Sequence, residues 1–405
     1  MERTIGPLLS LAALMLGFTS MPQSAAQTIT TLYSFTAGVD GLEPAGPLVR
    51  DAAGNIYGVT TAGGDPSCVN PYGCGTVFKL DAQGNKTVLY NFTGKTDGAT
   101  PVAGLIQDNA GNFYGTTNYG GHLNCGIPSG CGTVFKIDAA GNFKVLYRFT
   151  GAPDGANPEG ALTRDAQGNL YGTTINGGAL GTCVVGCGTI FKISAAGKET
   201  VLYSFTGALD GGTPYGHLVR DSGGNLYGTS NMGGDPNCFG GGGCGVVFKV
   251  AADGTESVLH SFAAGGDANF PQGGLVFDQG AFYGTANAGG AFDFGAVFRI
   301  DKAGHERVVH SFGPLPDAGF PSELIHDSTG TLYGTGVLGG SLGVGVLYKL
   351  DLTGTETLLH SFGVNASDGW NPTGSLIQDD AGHLYGTTSN GGNDSVRGTV
   401  FEFVP

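Results

Sequence analysis

The sequence predicts an all-β fold, a seven-bladed β-propeller of four-stranded antiparallel blades, and three observations predict it. A Tyr-Gly pair stands at the same place in each of seven repeats, at Tyr57-Gly58, Tyr114-Gly115, Tyr171-Gly172, Tyr227-Gly228, Tyr283-Gly284, Tyr333-Gly334 and Tyr385-Gly386. The interval, about 50 to 57 residues, is that of propeller blades. Each interval holds four short strand-like runs, and the two ends of the chain are incomplete in ways that complete each other.

The chain begins with Glu2 and Arg3, then an apolar run from Ile5 to Phe18, then Ser24, Ala25 and Ala26 ahead of Gln27. This is the pattern of a secretory signal over residues 1–26, which leaves residues 27–405 as a single propeller domain. The run is too short to span a bilayer, and no later segment is apolar for long enough to be a membrane helix. The expected location is secreted: extracellular or periplasmic.

The second repeat shows the strand pattern. Pro101 to Gln107 is a short apolar run, strand A, closed by the turn Asp108 to Asn112. Phe113 to Thr117, aromatic and β-branched, is strand B. A Gly-rich loop with two cysteines precedes strand C, Gly132 to Ile137. The turn Asp138 to Asn142 leads to strand D, Lys144 to Phe149. Four strands joined by turns make one meander. Strand C recurs from Gly75, Gly188, Gly245, Gly295, Gly345 and Gly398, and strand D ends at Phe35, Phe92, Phe149, Phe205, Phe262, Phe312 and Phe362.

The ends then decide between a closed ring and an open row. The mature chain opens on a D strand, Thr31 to Phe35, with no A, B or C before it, and closes on A, B and C, Pro372 to Phe403, with no D after them. The leftovers sum to one sheet, so the N-terminal strand is expected to complete the last blade and remove the exposed edges.

The strings Gly168-Asn169-Leu170-Tyr171-Gly172-Thr173-Thr174 and Gly132-Thr133-Val134-Phe135-Lys136 carry a resemblance to the GloVer-type tandem repeat family of bacterial exported β-propeller-like proteins. It covers essentially the whole mature chain, and repeats five to seven, with shorter B–C loops and no cysteine, depart most. The resemblance implies export and a propeller. It supplies no catalytic residues and no common activity. Members often end in an anchoring segment; this chain ends at Pro405, directly after its last strand, so no anchor is expected.

The eight cysteines fall in four close pairs at one place in repeats one to four: Cys68/Cys74, Cys125/Cys131, Cys183/Cys187 and Cys238/Cys244. An even count in an exported chain favours disulfides within each repeat; the flanks carry no regular histidine for the metal alternative. The net charge is −15, and the lysines and arginines are scattered. No basic patch tracks phosphates, so nucleic acid and anionic membrane are excluded as partners. A monomer is expected.

Candidate functional residues lie where the repeat varies. The A–B and C–D turns, such as Asp51 to Asn55, are alike and read as turn chemistry. The opposite face carries the D–A and B–C loops, and rigid scaffolds bind through such loops. Its D–A loops repeat Asp40, Asp97, Asp154, Asp210, Asp267, Asp317 and Asp368, each four residues before a proline. These are either a ring of carboxylates at the channel mouth, suited to Ca²⁺, or turn residues bonding their own backbone. No other cofactor is indicated. Trp370, the only tryptophan, and Tyr215 with His217 break the repeat and are the ligand-binding candidates, since sugars stack on aromatic rings and bond to nearby polar groups. Tyr215, His217 and Arg220 share one A segment and are the catalytic candidates, although Arg50 and Arg164 at the Arg220 position point to scaffold. His260, His310 and His360 replace the tyrosines of strand D and read as structural. The sequence holds no phosphate loop, nucleophile elbow or His-Glu-x-x-His. The leading expectation is a secreted binding module for an extracellular glycan or surface protein. The alternatives are a lyase-like polysaccharide enzyme and a purely structural surface protein.

Overall fold

The computed structural model describes residues 27–68, 72–365, 367–392 and 397–405; the expected signal at residues 1–26 lies outside them. The described residues form seven antiparallel four-stranded blades, each ordered A–B–C–D from its innermost strand. In blade 3, for example, strand B (Leu170–Thr174) pairs with strand C (Thr189–Ile193), and strand C with strand D (Glu199–Ser204). The expected closure is present. The N-terminal strand, Thr28–Ser34, pairs with the last strand, Thr399–Val404, in the register Thr28 to Val404 through Ser34 to Thr399.

Each part of the repeat has a packing task. The phenylalanine that ends strand D meets, edge to face, the aromatic ring of strand C in the next blade. Phe35 meets Phe78 at 5.2 Å between ring centres, Phe149 meets Phe191 at 5.0 Å, and Phe312 meets Tyr348 at 5.2 Å. These rings are fully buried, and such pairs add about 0.5–1.5 kcal/mol beyond the area they bury. The Tyr-Gly marker serves the same layer. Tyr171 Oη donates to Asp165 of its A–B turn at 3.0 Å, and the same bond ties Tyr57 to Asp51 and Tyr385 to Asp379. A Cβ on Gly172 would lie 2.6 Å from Phe191 Cζ, so the ring of strand C occupies the space a side chain would need.

The proline after each D–A loop locks neighbouring blades. Pro101, Pro158, Pro214 and Pro271 seat against Gly75, Gly132, Gly188 and Gly245, the first residues of strand C in the preceding blade. The residue before each proline has positive φ, for example Thr100 at 53° and Thr213 at 55°, uncommon for non-glycine residues. That conformation aims its N–H at the preceding blade: Thr100 N bonds to Cys74 O at 2.8 Å and Thr213 N to Cys187 O at 2.7 Å.

The four expected disulfides are all formed, Cys68–Cys74, Cys125–Cys131, Cys183–Cys187 and Cys238–Cys244. Cys131, Cys187 and Cys244 are buried in the hydrophobic clusters between blades, so the bridges hold the loops that dock the next blade. Four disulfides point to an oxidising compartment. No helix among the described residues is long and apolar enough to cross a membrane.

Candidate functional site

Five of the seven innermost segments share a Pro-x-Gly-x-Leu pattern, as in Pro44 to Leu48, Pro158 to Leu162, Pro214 to Leu218 and Pro372 to Leu376, and blade 2 carries Ala103 at the glycine position. The glycine has no side chain because the segments touch there: a Cβ on Gly160 would lie 2.6 Å from the Gly216 carbonyl oxygen, and one on Gly374 2.7 Å from that of Gly46. The two variable positions flank this constriction. The first supplies Ala45, Val102, Glu159, Tyr215, Gln272, Ser322 and Thr373, which line a cavity of about 350 Å³ drawn from all seven blades. The second supplies Pro47, Ala161, Glu323 and Ser375 to the same cavity. Asn287 and Val337, at the far ends of two B strands, add to its wall, so it opens on the side of the B–C and D–A loops. Blade 6 is one residue short here, running Pro321, Ser322, Glu323, Leu324, which brings Glu323 to the second position.

His217 and Glu323 form an ion pair across the intervening blade. His217 Nδ1 lies 3.3 Å from Glu323 Oε1, with the side chains 29% and 21% exposed. Gly274 permits this: a Cβ there would collide with the His217 ring. The Gly274 N–H donates to Glu323 Oε1 at 2.7 Å, and Ser375 Oγ donates to Oε2 at 2.7 Å. Burial disfavours both charges, yet the pair overcomes it. Glu323 is held well below the usual carboxylate range by the His217 charge and its three hydrogen bonds. His217 is raised above its usual value by Glu323, with the Leu275 backbone assisting.

Glu159 is the opposite case. Burial raises its carboxyl above the usual range, and the bond it accepts from Asn118 Nδ2 only partly offsets this. Burial also raises the Tyr215 hydroxyl, followed by the charge of Glu159, which places these two groups near one another. The cavity thus has two arcs. Blades 3 to 7 carry all of its polar side chains, among them Glu159, Tyr215, Gln272, Ser322, Glu323 and Ser375, interspersed with Ala161, Phe320, Pro321 and Val337, whereas blades 1 and 2 present only Ala45, Pro47, Val102 and Ala103.

The structure brings some sequence candidates together and separates others. Tyr215 lines the cavity and His217 reaches across to one of its lining groups. Arg220 does not line it. It lies at the far end of strand A with its guanidinium 5.4 Å from the centre of the Tyr171 ring, and Arg50 and Arg164 sit over Tyr385 and Tyr114 in the same way. Trp370 is half-buried at the start of strand A of blade 7, opposite Asn390, and is not part of the cavity wall.

The seven D–A aspartates are also elsewhere. None of the seven lines the cavity; the carboxylates bond to groups of their own loops, of strand D and, for Asp40, to Lys86 of the next blade. Asp97 accepts the Thr93 N–H at 2.9 Å and the Tyr90 hydroxyl at 3.0 Å, and Asp210 does the same with Thr206 and Tyr203. Asp40, Asp154, Asp267 and Asp317 likewise accept the N–H four residues earlier, and Asp368 pairs with His360 at 2.9 Å. Sequence reading passed over Glu323, Ser375, Gln272 and Phe320, which is 46% exposed at the cavity. Aligning the Pro-x-Gly-x-Leu segments would have found the first three.

Among solved structures the chain is similar to virginiamycin B lyase from Staphylococcus aureus (14% identity, TM-score 0.58, 94% of this chain and 99% of that one). It is also similar to the extracellular domain of a putative one-component system from B. thetaiotaomicron (11%, TM-score 0.56, 92% and 39%). A third is a puromycin-hydrolyzing peptidase from Mycobacterium tuberculosis (12%, TM-score 0.54, 89% and 51%). At these identities the likeness is one of fold alone. No curated protein matches the sequence. The Gloeobacter/Verrucomicrobia repeat family matches residues 18–185 and 127–336, most of the chain, and the protein belongs to that repeat family.

Proposed function

We propose that the protein is an exported propeller whose channel mouth binds a hydroxyl-rich ligand, a glycan or saccharide of the cell envelope, without transforming it. The observation that carries this reading is the division of one cavity into a polar arc and an apolar arc. Saccharides present hydroxyl edges and apolar CH faces, and such a ring offers partners for both. Gln272, Asn287 and Ser322 accept from and donate to hydroxyls and the two carboxylates accept from them, while Tyr215 and Phe320 supply aromatic faces. The disulfide-held loops and blade locks keep the ring rigid, which lowers the ordering cost of binding.

A second reading, acid–base chemistry on a polysaccharide, is favoured by one feature. Glu159 and His217 are both raised in pKa, by burial and by Glu323 respectively, and groups so perturbed in a cleft are candidates for proton transfer. The test is to incubate oxidised, signal-free protein with a panel of polysaccharides and score both retention and new reducing or unsaturated ends. Retention without products supports the binding module. New products that disappear in His217→Ala move the assignment to the enzyme, and neither signal defeats both.

A further inference from the structure

The clefts between the outer strands of adjacent blades repeat one arrangement with varied chemistry. A tyrosine or histidine of one strand D meets the D–A aspartate, and the first residue of the next strand D faces them. Five sets are polar throughout: Tyr33, Asp40 and Lys86; Tyr147, Asp154 and Glu199; Tyr203, Asp210 and Glu256; His260, Asp267 and Glu306; and His310, Asp317 and Glu356; beside Tyr90 and Asp97 the position is Phe143. After His360 and Asp368 the corresponding position is Ile29.

Two clefts therefore join an imidazole to two carboxylates, and in each the three ligand atoms lie within 4.8 Å of one another. In the second, His310 Nδ1 is 3.1 Å from the Gly354 carbonyl oxygen, a contact that requires the proton on Nδ1 and leaves Nε2 as the metal-facing nitrogen of the neutral ring, the orientation in which imidazoles ligate metals. That Nε2 stands 3.9 Å from Asp317 Oδ1 and 3.8 Å from Glu356 Oε2, too far for hydrogen bonds. His310 Nε2 is buried without a hydrogen-bond partner, as is Oε1 of Glu356 and of Glu306; Oε1 of Glu199 and of Glu256 is unpartnered in the tyrosine clefts as well, so the nitrogen is what sets the His310 cleft apart. Buried polar atoms of this kind are costly unless something satisfies them. In the sister clefts a tyrosine hydroxyl bonds to the aspartate, at 2.9 Å for Tyr147 and 3.0 Å for Tyr203; those clefts hold no nitrogen lone pair.

We propose that the His310–Asp317–Glu356 cleft binds a divalent transition cation of the zinc class, and that His260–Asp267–Glu306, where Nε2 lies 3.2 Å from Asp267 Oδ2, is a second site in which the cation replaces that hydrogen bond. One nitrogen and two carboxylate oxygens suit Zn²⁺, with open positions for water. Ligands at about 2.0–2.2 Å from a tetrahedral ion are about 3.3–3.6 Å apart, so the gap in the His310 cleft closes by a few tenths of an ångström. His310, Asp317 and Glu356 side chains are 17%, 22% and 12% exposed, which gives an ion access from the outer rim.

The test is calorimetric titration of ZnCl₂ into oxidised, signal-free protein stripped with EDTA, with bound metal counted by mass spectrometry. His310→Tyr rebuilds the tyrosine cleft that blades 2 and 3 already fold with, and Glu356→Gln is a second, isosteric variant. Each is expected to weaken one zinc equivalent by about 10–100-fold or more. His260→Tyr does the same to the other equivalent, and His360→Tyr changes neither. The proposal is overturned if wild-type protein takes up no zinc at micromolar concentration, or if His260→Tyr/His310→Tyr retains wild-type affinity and stoichiometry.

Discussion

Replacing Glu323 by glutamine keeps the size of the side chain and removes its charge, so it isolates the pair that spans blades 4 and 6. The charges lie 3.3 Å apart and the side chains are 29% and 21% exposed. With solvent this close, an effective dielectric of about 40–80 gives an attraction of about 1–2.5 kcal/mol. That corresponds to about 1–2 pH units on the imidazole. Without the Glu323 charge, burial, the largest influence, pushes His217 down and the Leu275 backbone bond only partly opposes it. The His217 midpoint is therefore expected above its ordinary value in wild type and below it in Glu323→Gln. The assay is an NMR titration of the imidazole signals, with His217 assigned by His217→Gln. The stability signs follow from the two directions. His217 is raised, so its contribution is full below about pH 6.5 and is lost as pH rises through the raised value. Glu323 is depressed, so its contribution is full above about pH 4.3 and is lost as pH falls through the depressed value. The substitution should thus destabilise most between those two pH values. A midpoint that does not move in the variant would refute the pairing.

Two further outcomes follow from the packing. Burial, and then Asp154 and Asp210, push Glu199 and Glu256 up to about 7. A folded state that holds these protons more tightly loses stability as pH rises from about 4.3 through about 7, by about 1–2 kcal/mol per group after solvent screening. Denaturant midpoints of EDTA-treated protein should fall between pH 5 and 8, and Glu199→Gln with Glu256→Gln should flatten that slope; an unchanged slope contradicts the assignment. Gly172→Ala places a Cβ 2.6 Å from Phe191 Cζ and 3.0 Å from Leu162 Cδ2, and should cost about 1–3 kcal/mol by overpacking, read as a lowered thermal midpoint.

The fold was legible because its signals are periodic or local. The Tyr-Gly spacing, the glycine that opens strand C, the split last blade and the close cysteine pairs each lie within one repeat or compare one repeat with the next. The aspartates were legible only as alternatives, because the sequence shows Asp97 four residues from Thr93 and cannot show where the carboxylate turns. The channel site was half legible. Tyr215 and His217 stood out as departures from the repeat. Glu323 and Ser375 did not, because their meaning is spatial: His217 reaches Glu323 across Gly274, in the blade between them. Trp370 drew notice by rarity, yet rarity does not report position, and strand A of blade 7 holds it away from the cavity.

The central claim is that the ligand enters the channel mouth between the polar and apolar arcs. Ala45 lies on the apolar arc, partly exposed, at the first variable position of blade 1. Ala45→Trp fills the opening while leaving the polar groups in place. The deciding measurement is the affinity of the retained polysaccharide for this variant, beside Trp370→Ala and with folding checked by circular dichroism. The account predicts that Ala45→Trp abolishes binding and that Trp370→Ala leaves it intact. Full binding by Ala45→Trp, or loss of binding only in Trp370→Ala, would contradict it.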